Sequence, residues 1–95
     1  MSEQVRWRAI SGFMLHWHKW GNEHIVYNAG SGDTHLFNDF AALILSSLQE
    51  EAAMVDELSQ LCASSFKQDE NDELHAQINE LLLELDRLGV IERIH

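Results

Sequence analysis

Hydrophobic and polar positions change their period once along the chain, near residue 38. Before it, apolar and polar residues alternate over short runs, the period of half-buried strands; after it, apolar residues recur every three or four positions, as on amphipathic helices. "FMLHWHKW", residues 13–20, reads as a first strand ending at Gly21-Asn22, with Phe13, Leu15 and Trp17 on one face and Met14, His16, His18 and Trp20 on the other. Both faces carry bulk, so one is expected to be covered and the other partly occupied. "HIVYN" (24–28) and "THLFN" (34–38) form the second and third strands. The "AGSGD" between them holds two glycines suited to the positive φ of a tight reversal, and so short a loop predicts antiparallel pairing.

Asn38 or Asp39 is placed to cap a first helix running to about Glu50, with Phe40, Leu43, Ile44, Ser47 and Leu48 on one face. A second helix, about Val55 to Phe66, is expected to bury Val55, Leu58, Leu61 and Cys62, although "EEAAMVDE" offers no Ser or Thr to mark its start. "KQDENDE" is a polar break that puts acids at the positive end of a third helix, about Asn71 to Leu88, and Gly89 suits the left-handed residue beyond its end. At about 100° per residue from Leu74, the residues Ile78, Leu81, Leu85 and Leu88 point within about 40° of one direction. On the same wheel Leu82 falls at the flank and Leu83 opposite, and "VIERIH" closes as a short extended piece. The predicted class is α+β, a three-stranded antiparallel sheet followed by three helices in winged helix-turn-helix proportions. It would occupy residues 13–95, behind a loosely attached arm of residues 1–12 whose Trp7 tucks onto the body. With no proline, repeat or low-complexity run and 45% hydrophobic residues, the 95 residues suit one core.

Charge narrows the partners. Six Lys and Arg stand against sixteen Asp and Glu, a formal net charge of −10, and no Lys or Arg lies between Lys19 and Lys67. Such a surface repels phosphate backbones and anionic lipids and favours basic partners. A winged-helix DNA-binding transcriptional regulator, the main alternative reading of these proportions, would present the third helix to DNA. That helix carries Asp72, Glu73, Glu80, Glu84 and Asp86 against Arg87, so no nucleic acid is expected. Apolar runs stay shorter than the ~18 residues of a membrane span, and "MSEQVRWRAIS" lacks the apolar core of a signal peptide. A cytoplasmic protein is the expectation, with the lone Cys62 as a buried, reduced thiol.

Candidate chemistry is sparse. His16 and His18 share a strand face, and His24 and His35 lie on neighbouring strands, but no spacing is diagnostic of a metal site, and none is expected. "GSGDT" lacks the lysine and hydroxyl residue of a phosphate loop, "G-x-S-x-G" is absent, and no carboxylate pair stands out. The reading is therefore of a protein without catalytic residues or cofactor. Trp7, Trp17 and Trp20 would suit base stacking, yet with this charge they read as packing residues.

Taken in order, "HIVYNAGSGDTHLFNDFAALILSSL", "VDELSQLCASSF" and "LLLELDRLGVIERI" resemble the PqqD-type peptide chaperones, the RiPP recognition element type. The strand through "SGDTH" entering an "AA-x-IL" helix is most similar to the HPr-rel-A system PqqD family, encoded beside an HPr-kinase-related protein. The likeness spans about residues 13–94. It implies a non-catalytic adaptor that captures a leader peptide or protein segment and presents it to a partner modifying enzyme, here one of the HPr-kinase-related system. It further implies that the peptide adds as a fourth strand along the third strand and packs against the third helix. By position the strand is Thr34, His35, Leu36, Phe37 and Asn38, and the helix wall is drawn from Ile78, Leu81, Leu82 and Leu85. Leu82, placed at the flank, is expected to tolerate charge better than Leu81 or Leu85. The extension "VRWRAISGF" exceeds the shortest members and is a candidate cover for the groove. An edge strand suits peptide capture because its unpaired backbone donors and acceptors accept many sequences. The open edges, together with Leu83, also predict a homodimer.

Overall fold

The computed structural model describes residues 5–94. Met1 to Gln4 of the expected arm, and His95 at the end of the expected peptide-binding domain, lie outside them. Along the chain come β1 (Arg6–Ala9), β2 (Leu15–Trp20), β3 (Glu23–Asn28), β4 (Asp33–Phe37), α1 (Asp39–Glu50), α2 (Val55–Phe66), α3 (Asp72–Arg87) and β5 (Ile91–Ile94). The α+β class, with a three-stranded antiparallel sheet ordered β2-β3-β4 and three helices after it, is the one the periodicities predict.

Strand alternation divides the sheet into an inner and an outer face. Trp17, Val26 and His35 lie in register across the inner face, where Val26 is fully buried, and His18, Ile25 and Leu36 lie in register across the outer one. Phe13 departs from its expected place, because β2 begins only at Leu15 and Phe13 sits in the preceding turn, 90% exposed. The β3–β4 turn also differs. Only Gly32 takes a positive φ, of 82°, while the Asn28 side chain organises the loop by accepting hydrogen bonds from Gly30 N at 2.9 Å and Ser31 N at 3.3 Å.

The expected loose arm is instead a built-in strand. β1 pairs antiparallel with β5, and Trp7 and Ala53 exchange backbone hydrogen bonds of 2.8 and 2.9 Å. The Trp7 ring is buried in the core, with the Arg93 guanidinium 5.5 Å from its centroid. This ribbon seats on α1 and α3, so the extension lies on the helical side of the molecule.

Asparagine side chains cap α1 and α3. Asn38 Oδ1 accepts from Ala41 N at 2.9 Å, and Asn71 Oδ1 accepts from Leu74 N at 2.9 Å. At the unmarked start of α2, the Glu57 carboxylate reaches back and accepts from Met54 N at 3.0 Å, the half of a capping box that needs no Ser or Thr. Gly89, at φ 79°, ends α3 as expected. The buried stripes are rotated from the expected ones. On α1, Ala41, Ala42 and Leu45 join Ile44 and Leu48, while Phe40 and Leu43 are only half-buried. On α2, Leu58, Ser59 and Cys62 are buried, and Val55 and Leu61 are half-buried.

The largest correction concerns α3, whose stripe is Leu74, Ile78, Leu82 and Leu85. Leu82, expected at the flank, is 1% exposed, and Leu81 is the half-buried residue in its stead. The physical reason is a second packing partner: α3 rests on β5 as well as on α2, which turns the centre of its apolar face toward Leu82.

Candidate functional site

Because the sheet order is β2-β3-β4, one long edge of β4 faces no strand among the described residues. In antiparallel pairing, alternate residues direct their N–H and C=O groups toward the neighbour and away from it, so about half of the β4 backbone groups point to the open side. β2 is the second open edge of the same sheet.

Of the five candidate residues, four lie in β4 and fall into two sets, and Asn38 lies just beyond the strand. Thr34 and Leu36 are exposed on the outer face, Leu36 by 63%, while His35 is half-buried and Phe37 buried on the inner face. The His35 and Phe37 rings stack at 5.9 Å between centroids, and His35 Nε2 is buried without a hydrogen-bonding partner among the described residues. Asn38 closes the set at the helix cap, with its side-chain oxygen already engaged by Ala41 N. Of the α3 residues, Ile78, Leu82 and Leu85 lie inside the core and only Leu81 reaches partway to the surface. Of the four, Leu81 alone is thus partly exposed, and the other three lie beneath the surface.

Sequence reasoning did not anticipate a groove of about 460 Å³ lying toward the β2 edge. Trp17 and His24 form its sheet side, and Asp39, Leu43, Ser65 and Phe66 its helical side. His24 Nε2 and Asp39 Oδ1 are 2.8 Å apart, which fixes the imidazole across the β3–α1 junction, and Trp17 meets the same ring edge-on at 6.5 Å. Trp17 Nε1 is the other ring nitrogen buried without a partner among the described residues. The signal available for this groove was the inward parity of Leu15 and Trp17 together with the half-apolar spacing of Phe40 and Leu43.

The histidines do not converge. His16 and His18 are exposed on the outer face, whereas His24 and His35 belong to the inner one, and among the described residues no group of three or more His, Cys, Asp or Glu side chains is arranged to hold a metal ion. Electrostatics around α3 run against an anionic ligand. Arg87 donates from Nε to Glu84 Oε2 at 2.9 Å and makes a second contact with the other oxygen, so the single cation of α3 is already engaged. The same hydrogen bond holds the Glu84 carboxyl below the usual carboxylate range. Burial pushes the Cys62 thiol up, away from the thiolate a nucleophile requires. Among the described residues no helix is long and apolar enough to cross a membrane.

Residues 23–91 match the family model described as Coenzyme PQQ synthesis protein D (PqqD), a span that takes in β3, β4, all three helices and the first residue of β5. No curated protein and no solved structure matches the chain.

Proposed function

The chain belongs to the PqqD family, and on that premise we propose that it captures a leader peptide or protein segment as a fourth strand along β4 and presents it to a partner modifying enzyme. PqqD proteins are peptide-binding accessory chaperones rather than enzymes. The observation that carries the finer reading is the open β4 edge beside a buried inner face: backbone groups supply affinity, and the strip holding Thr34, His35, Leu36, Phe37 and Asn38 supplies selectivity. Leu81 is the wall contact, while Ile78, Leu82 and Leu85 hold α3 in place behind it. The acidic surface favours a basic peptide or a basic enzyme surface, and the HPr-rel-A resemblance points to an HPr-kinase-related protein as the enzyme of the system. We place the protein in the cytoplasm and pair it as a homodimer.

A photoreactive residue at Leu36, with Ser64 as the control position, tests this reading in cells. Cross-linking of a peptide segment from position 36 and not from 64 supports it, and cross-linking from neither argues against β4 as the capture edge. The β2 edge is the second reading, favoured by the groove beside Trp17. Cross-linking from Lys19 instead of Leu36 would select it.

A further inference from the structure

Among the described residues the outer face of the β2–β3–β4 sheet has no helix or strand packed over it, and it plays no part in the strand-addition reading beyond Thr34 and Leu36. Two rows cross it in register: His16, Tyr27 and Thr34, then His18, Ile25 and Leu36, with Trp20 at the end of β2. Six large hydrophobic residues are exposed among the described residues. Five of them, Phe13 at 90%, Met14 at 42%, Trp20 at 73%, Tyr27 at 43% and Leu36 at 63%, lie on this face or at its rim, and the sixth is Leu83 on α3. An apolar surface so concentrated on a small chain marks an interaction site.

We propose that two copies of the chain pair through this face, sheet against sheet. The assignment deepens the homodimer in the proposed function and rests on it.

Charge selects a second copy as the occupant. Each copy carries a net charge of −10, and strand parity leaves Glu23 as the sole carboxylate on this face, with no Lys or Arg there. Two acidic chains meet with least repulsion where their acids are fewest. A basic partner would instead be drawn to the surface of α1 and α2, which carries Asp39, Glu50, Asp56 and Glu57 without a Lys or Arg. An apolar, nearly uncharged, flat face is its own complement under a two-fold axis, as an isologous interface requires. Its scale suits the role as well: aromatic residues bury about 150–250 Å² each, so the exposed parts of Phe13, Trp20 and Tyr27 with Met14, Leu36 and the two histidines approach the ~800 Å² per partner of a standard interface. Face-to-face packing covers the Leu36 side chain only at the margin of the interface and leaves the backbone groups of each β4 edge free, so the dimer would present two peptide sites.

Sedimentation equilibrium of the full chain across micromolar to millimolar concentration, with Trp20→Glu, Tyr27→Glu and Leu83→Glu variants checked for helicity, tests the proposal. The wild type is expected to dimerise, each sheet-face variant to raise the dimer dissociation constant by at least about tenfold, and Leu83→Glu to leave it unchanged. A dimer that resists both sheet-face variants, or one that Leu83→Glu alone dissociates, overturns the face assignment and leaves the homodimer standing. A wild type that stays monomeric throughout overturns both. Should the glutamate variants misfold, amide shifts of the wild type on dilution decide: movement concentrated at residues 14–27 and 34–36 supports the sheet face, and movement concentrated on α3 around Leu83 refutes it.

Discussion

Leu82 and Leu83 are neighbours in sequence and opposites in environment, at 1% and 62% exposure, and truncating each to alanine tests the orientation of α3 directly. Leu82→Ala removes three carbons from a site between Ile78 and Leu85, both fully buried. At roughly 0.8 kcal/mol per buried methylene the transfer loss is about 2.4 kcal/mol, and the residual cavity brings the expected cost to about 2.5–5 kcal/mol. A domain of this length has a total stability of roughly 5–14 kcal/mol, so the change consumes a large fraction of it and should lower Tm by more than about 10 °C. Leu83→Ala loses little burial and gains helix propensity, so its effect should stay within about 0.5 kcal/mol. Urea denaturation followed by far-UV circular dichroism reads both, with an unchanged slope securing the comparison. A Leu83→Ala cost equal to or above that of Leu82→Ala would refute the orientation. The same burial rules out Leu82→Asp as a clean binding probe, because it would leave an unpaired charge in the core and unfold the protein.

Asn38→Ala should cost about 1 kcal/mol by removing the α1 cap, measured by thermal melts, whereas Asn38→Ser should retain most of it. Cys62 should resist a thiol-specific disulfide reagent at pH 8 in the native state and react stoichiometrically in urea. Its raised thiol pKa gives a stability contribution that is fully present below the ordinary thiol range and is lost as pH rises from there through the raised folded value, since the unfolded thiol ionises first. Mobility-shift assays at moderate salt should show no duplex DNA binding, given the net charge and the engaged Arg87; a salt-sensitive shift at low micromolar protein would restore the regulator reading.

The elements themselves were legible because each carries local marks: period-two runs for β2 to β4, Asn38 and Asn71 at helix starts, and Gly89 at a helix end. What the local pattern could not supply were facts of tertiary packing. β1 has only four residues, and nothing near it in sequence announces a partner eighty or more positions away in β5. That unseen ribbon is also why the α3 wheel was misread. A helical wheel finds an apolar direction, but the presence of β5 beside α2 decides which flank of it is buried. The family resemblance, carried over by position, picked out the candidate strand, Thr34 to Asn38. Which wall residues a ligand can reach is a matter of burial, and burial separates Leu81 from Ile78, Leu82 and Leu85.

Backbone amide shift mapping, with the segment captured by cross-linking supplied as a synthetic peptide, tests strand addition along β4 most directly. Signals from Thr34 to Asn38 and from the neighbourhood of Leu81 are expected to move together and saturate, β4 amides on the open side to become protected from exchange, and the turn from Ser64 to Glu70 to stay still. Shifts confined to the exposed surface of α2, or to the β2 edge around Lys19 with β4 unmoved, would contradict it.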